Sequence, residues 1–186
     1  MSFTADYRAR VEEALGKVDL AKADQAIEWL REARDAGRQV FTCGNGGSAL
    51  TPSHFAGDMV KGASYQRAKR FKVISLADNL ATLTAYANDV SYADVFVEPL
   101  KNFLQPGDVV LAVSGSGNSE NVLRAVAYAN ERKARTIGLT GRDGGKLGKL
   151  AQLHLNVPVQ HMGVIEDVHM FLCHMIAYRF MDDPKY

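Results

Sequence analysis

Residues 39–52 read QVFTCGNGGSALTP: an apolar run, then a glycine-rich turn, then the start of a segment with helical spacing. Residues 109–119, VVLAVSGSGNS, repeat the same grammar with serines in place of asparagine. A short apolar run bounded by turn residues suits a buried strand, and a following helical pattern makes each stretch a strand–loop–helix unit. Working outward from these two stretches, further apolar runs occur at Phe71–Leu76, Arg135–Thr140 and His154–Val157, giving five expected strands with Gln39–Cys43 and Asp108–Val113. Between them lie expected helices at Pro52–Lys61, Asn79–Ala87, Val95–Leu104, Ser119–Arg132 and Lys146–Ala151. Alternation of this kind predicts an α/β fold: a doubly wound, five-stranded parallel sheet flanked by helices. Two helices precede it, ending before Gly37 as a helix C-cap would have it, and a long one closes it from about Val164 to Phe180.

The two loops carry the chemistry. In doubly wound sheets ligands bind outside the carboxyl ends of the strands, where both loops fall. Glycines let backbone N–H groups approach an anion, hydroxyls add donors, and a helix N-terminus adds partial positive charge. That is phosphate-binding chemistry without a lysine; the alternative is that a β–α turn is rich in glycine and serine for steric reasons alone. Gly44, Gly46 and Ala49 also satisfy a GxGxxA spacing. A dinucleotide site would place an acid about 20 residues on, whereas the first acid after the second strand is Asp78, 34 residues after Gly44. Gly144–Lys149 lacks the spacing of a P-loop.

His54 and Asp58 are four apart on an expected helix, so they share a face, as two ligands of one metal or as a solvated pair. On the last helix His169 and His174 point about 140° apart, so one of them at most serves a given site. Glu166 and His174 lie about 12 Å apart along an ideal helix, far for joint chelation of one ion.

Composition narrows the function. The 22 Lys+Arg against 21 Asp+Glu leave a formal charge of +1, which argues against a nucleic-acid partner. The polar start MSFTADYRARVEEA and the lack of an apolar span of about 18 residues argue against export and membrane insertion, so the expectation is a cytoplasmic protein. Cys43 and Cys173 form no metal-type or disulfide framework and read as buried apolar residues.

Taken together, CGNGGS, HFA, AND, SGSGNS, LTGRDGG and EDVHMFLCH resemble the sugar isomerase (SIS) domain family across nearly the whole chain, which would make 1–186 a single SIS domain of flavodoxin-like topology. The resemblance is strongest to phosphoheptose isomerases. It implies an aldose–ketose isomerase converting sedoheptulose 7-phosphate to D-glycero-D-manno-heptose 7-phosphate, in heptose biosynthesis, through an enediol or enediolate. The alternative it leaves is a non-catalytic relative that binds a partner such as a replication initiator, or senses a sugar phosphate.

The resemblance also implies residue roles. Asn45, Gly46, Gly47 and Ser48 match a first substrate loop. Ser114, Gly115, Ser116 and Ser119 match the phosphate loop, and Asn88 and Asp89 match a pair that contacts the sugar. Asp58 and His174 match the catalytic groups, and His54, Asp58, Glu166 and His174 are the implied ligands of a divalent metal, zinc by donor type. Glu166 is also expected at the substrate. A homotetramer is implied as well. Four departures stand out: Asp58 where the family has a glutamate, Glu166 where glutamine is usual, Gly115 where threonine is usual, and Val164 where arginine is usual.

Overall fold

The computed structural model describes residues 2–183 and 186. Five parallel strands, β1 (Gln39–Cys43), β2 (Lys72–Ser75), β3 (Val109–Ser114), β4 (Arg135–Gly141) and β5 (Leu153–Val157), form one sheet in the order β2-β1-β3-β4-β5. Eight α-helices surround it: α1 (Phe3–Leu15), α2 (Leu20–Asp35), α3 (Gly47–Gly57), α4 (Leu80–Asp89), α5 (Val97–Phe103), α6 (Glu120–Glu131), α7 (Gly145–Leu150) and α8 (Met162–Asp182). This is the expected doubly wound architecture, with strand ends shifted by a residue or so.

Both faces of the central strand are buried. In β3, Val109, Leu111 and Val113 join a core beneath α1, α2, α3 and α8, while Val110 and Ala112 join a second core beneath α5, α6 and α7. Strict alternation of apolar residues into two cores is what a central parallel strand requires. The long helix α8 has apolar residues around most of its circumference because it packs on α1, α2, α3 and the sheet together.

Two helices differ from expectation. Proline suits a first helical turn, yet α3 begins at Gly47 and holds Pro52 inside it. Pro52 has no N–H to give the Ser48 carbonyl, and that carbonyl instead lies against the Gly44 backbone, where a Cβ would meet Ser48 O at 1.9 Å and Val113 O at 2.9 Å. The helix also widens to π-helical bonding at Asp58–Gly62, immediately after α3. The expected helix Val95–Leu104 is shorter, α5, and a separate 3₁₀ turn at Tyr92–Asp94, capped by Ser91, precedes it. Gly37 takes φ +66° just past α2 and lets Arg38 N donate back to Ala33 O, as a helix-ending glycine does.

The approach at Gly44 leaves no room for a side chain. Gly44→Ala is expected to lower unfolding free energy by about 2 kcal/mol or more, read as a lower urea midpoint at unchanged slope.

Candidate active site

β1 and β3 are neighbours, with Cys43 opposite Ala112, so the loops that follow them stand side by side at the carboxyl edge of the sheet. The helices that leave those loops go to opposite faces, α3 into the core with α8 and α6 into the other. A crevice at such a switch point is where open α/β sheets bind ligands.

The serine loop forms one wall. Ser114 Oγ lies 3.1 Å from Ser119 Oγ and 3.5 Å from Ser116 Oγ, so three hydroxyls converge at the start of α6. Gly115 fits against the first turn of α8: a Cβ there would meet Met162 Sδ at 2.5 Å. The departure from threonine thus matches a methionine that closes over the loop. From the far side the loop is braced by residues 144–147, with Leu147 N donating to Gly117 O at 2.8 Å and Lys146 N to Asn118 Oδ1 at 3.2 Å.

The glycine loop forms the other wall. Gly46 (φ +56°) and Gly47 are exposed, and Ser48 is buried in the first turn of α3. The Asn45 amide is engaged within the protein: it exchanges hydrogen bonds with the Asn121 amide and accepts a third from the Tyr92 hydroxyl. The Glu166 carboxylate sits over Gly47, its oxygens 2.6–2.7 Å from where a Cβ would be. No side chain caps α3, so Glu166 supplies negative charge at that helix N-terminus.

Further along, α3 and α8 bring three groups together. His54 Nε2 is 3.0 Å from His174 Nε2, and Asp58 Oδ2 is 3.4 Å from the first and 3.8 Å from the second. Asp58 Oδ2 is shut off from solvent with no hydrogen-bond partner, although the side chains around it are partly exposed. Ligands of a tetrahedral zinc at about 2.0–2.1 Å stand about 3.3 Å apart, so two imidazole nitrogens and an orphaned carboxylate oxygen at these separations fit a divalent cation. The three form the metal-type group among the described residues.

Glu166 does not join that group, which corrects the expected four-ligand set. α3 and α8 run side by side in the same sense, with Gly47 against Glu166 and His54 beside His174, so Glu166 stands two helical turns from the histidines. Asn88 and Asp89, at the exposed end of α4, hydrogen-bond to each other at 2.7 Å, and the described hydrogen bonds carry neither to the two loops.

The other histidines serve the fold. His161 caps α8 through Val164 N, and His154 bonds Thr140 Oγ1 at 2.6 Å while lying against Gly144 and Gly148. His169 is fully buried, with Nε2 3.0 Å from Thr140 O and no partner for Nδ1. Burial pushes its pKa down to about 4, so the ring is neutral and Nε2–H donates to the carbonyl. Cys43 and Cys173 are buried free thiols, each pushed up to about 12 by burial.

Against this geometry the likenesses to known proteins are specific. A family model described as SIS domain matches residues 3–141. A phosphoheptose isomerase of Aromatoleum aromaticum is 42% identical over 142 residues, covering 75% of this chain and 71% of that protein. One of Alteromonas mediterranea is 37% identical over 180 residues, covering 95% and 89%. The chain belongs to the SIS domain family, among the phosphoheptose isomerases. The structure of phosphoheptose isomerase GmhA from Neisseria gonorrhoeae superposes with a TM-score of 0.89 at 31% identity, covering 97% of each chain. The sequence-based family assignment and fold class therefore stand. Among the described residues no helix is long and apolar enough to cross a membrane.

His169 gives the site region a pH signature. An unfolded chain titrates this ring near 6.5 and the folded one near 4, so the unfolded state binds the extra proton first as pH falls. Stability is fully present above about 6.5 and declines toward 4, by about 2 kcal/mol between pH 8 and pH 5. His169→Gln is expected to flatten that part of the pH dependence, measured by urea unfolding at each pH.

Proposed function

We propose that this protein is an aldose–ketose isomerase that converts sedoheptulose 7-phosphate to D-glycero-D-manno-heptose 7-phosphate, with residues 1–186 as one catalytic domain. The observation that carries the reading is that one chain holds both a hydroxyl-lined helix N-terminus and a His/Asp/His group, and that its relatives are phosphoheptose isomerases over most of their length.

The phosphate belongs to the serine loop. An anion at the start of α3 would face the Glu166 carboxylate already there. At the start of α6 the acid of the first turn, Glu120, is exposed and paired with Arg124 at 2.9 Å, and three hydroxyls converge there instead. Ser114, Ser116 and Ser119 hold the phosphate, and Gly46, Gly47 and Ser48 line the path to the reacting carbons. Binding energy from the phosphate, remote from the chemistry, fixes the sugar for proton transfer.

Isomerisation of the ketose removes a proton from C1 while the C2 carbonyl oxygen gains one, giving the enediol; a proton then returns to C2 and the O1 hydroxyl loses its proton to become the aldehyde. Asp58 and His174 carry these protons. Asp58 Oδ2 faces the two histidines, which leaves Oδ1 as the oxygen for the substrate proton. His174 Nε2 has one lone pair, so at any instant it serves a cation or a proton. His54, Asp58 and His174 would hold the divalent cation, zinc by their N and O donors, and when bound it supplies polarisation of the sugar oxygens and charge neutralisation. Glu166, Asn88 and Asp89 contact the sugar in this reading. So does the remaining N–H of the Asn45 amide.

The site lies open beside exposed Leu50, Phe171 and Tyr178, which supports burial of this face between subunits of a cytoplasmic homotetramer. Light scattering at micromolar concentration then gives the mass of four chains; a monomer excludes it.

The reaction is tested with sedoheptulose 7-phosphate in deuterated water, where deuterium enters the carbon next to the carbonyl and the aldose accumulates. A protein that binds the sugar phosphate with no exchange is a sensor or partner-binding relative instead. Asp58→Asn and His174→Ala each remove exchange with the fold retained. Ser116→Ala weakens sugar-phosphate binding by about 1.5–3 kcal/mol in calorimetry. Protein purified without chelator carries one equivalent of zinc by elemental analysis, and His54→Ala lowers it.

A further inference from the structure

The walls of the crevice are joined by one contact that the isomerase motifs leave unassigned. Asn121, on the first turn of α6 and 2% exposed, donates from Nδ2 to Asn45 Oδ1 at 2.8 Å and accepts from Asn45 Nδ2 at 2.9 Å. Two primary amides are the side chains that can close such a ring, each giving one donor and one acceptor. The ring is held in place on both sides. Asn121 Oδ1 also accepts from Val122 N at 3.0 Å, and Asn45 Oδ1 from the Tyr92 hydroxyl at 2.8 Å, so both carbonyl oxygens are fully used.

We infer that Asn121 is a positioning residue for the isomerase reaction: through Asn45 it fixes the glycine loop, and with it the start of α3, at a set distance from the serine loop that holds the phosphate. This rests on the functional reading above. The serine loop has a second brace, from Gly117 and Asn118 to residues 146 and 147. Among the described residues the glycine loop has no hydrogen-bonded brace of that kind: Ala49 N and Leu50 N bond back to Gly46 O within its own turn, and Gly46 has no side chain to cap α3. The amide ring therefore couples the reacting end to the phosphate end, while the phosphate end is held without it. A misplacement of about 1 Å in such a coupling costs on the order of 100-fold in rate.

The signature separates positioning from substrate contact. In the full-length protein with its metal, Asn121→Ala lowers kcat by about 10- to 100-fold, leaving KM and calorimetric affinity for inorganic phosphate within about threefold, the spread ordinary for an uninvolved group. Asn45→Ala does the same apart from any direct sugar contact, and the double variant is no worse than the poorer single one, because each amide acts through the other. Asn121→Asp, which keeps the acceptor for Asn45 Nδ2 and Val122 N and loses the donor, falls between wild type and Asn121→Ala, and Asn121→Gln does not restore the ring.

A raised KM with kcat preserved, or fully additive single variants, overturns the inference. Amide hydrogen exchange supplies a readout independent of turnover: exchange at residues 46–48 accelerates in Asn121→Ala and residues 114–119 stay as in wild type. Unchanged exchange at 46–48 also overturns it. Should Asn121→Ala not fold, Tyr92→Phe, which removes one bond to Asn45 from an exposed position, gives the same directional change in kcat and in exchange at 46–48, and no change in either refutes the coupling. If wild-type protein turns over no heptose phosphate, the isomerase reading fails and the exchange experiment still decides whether Asn121 couples the loops.

Discussion

The register of β1 against β3 sets the distances on which the rest of the molecule depends. With Cys43 opposite Ala112, β1 ends two residues before β3 does at Ser114, so the two loops leave neighbouring strands at the same edge of the sheet, and the following helices diverge to opposite faces because each strand alternates its apolar residues between two cores. The crevice is the space between two diverging helices. The loops line it with backbone amides, hydroxyls and one pair of amides, and the start of α8 adds Met162 and Glu166. A shift of either strand by one residue would turn its core residues to the wrong face, so packing of more than forty buried side chains enforces a geometry the ligand alone could not.

Helix α8 extends that constraint to the chemistry. His169 is bonded to the Thr140 carbonyl at the end of β4, and the remaining inward face of the helix is apolar, so its rotation about its own axis is fixed. That rotation aims Glu166 at Gly47 and His174 at His54. A neutral, buried histidine whose second nitrogen has no partner costs stability, and here the cost falls on the residue that orients the helix. Buried polar contacts of this kind specify one arrangement where apolar packing alone would tolerate several.

The sheet and the loops were legible in the sequence because strand–glycine–helix punctuation is local: every strand lies within about a residue of its expected place. Asn45 was singled out by its loop, His54 and Asp58 by their four-residue spacing, and His174 by the resemblance alone; the structure brings the last three together. What stayed hidden depends on pairs distant in sequence. Asn121 lies 76 positions from Asn45, and its only local signal is a polar residue in the apolar stripe of α6. Glu166 was carried over with His174 as part of a whole ligand set, whereas both lie on the one unbroken helix α8, whose rise over eight residues keeps the two apart. Pro52 suggested a helix start since proline favours one, and the compensation that allows it inside α3, a glycine backbone against the Ser48 carbonyl, is invisible without the fold.

The departures from the resembled family read differently once the geometry is known. A carboxylate shortened by one methylene at position 58 would lose its partners if the helix held it at the old distance, yet Asp58 Oδ2 lies 3.4 and 3.8 Å from the two histidines, at the residue where α-helical bonding gives way to π. Helix widening of this kind recurs at functional sites because it redirects the side chains that follow it. A glutamate at 166 would repel a phosphate and crowd a cation if it stood with either. It stands with neither, at a helix N-terminus that favours a negative charge, and its presence there leaves the serine loop as the place for the substrate's own anion. Each change is absorbed locally, at position 58 by the π turn that follows α3 and at 166 by the N-terminus of the neighbouring α3, so the catalytic and binding ends keep their separation while the residues that hold them differ.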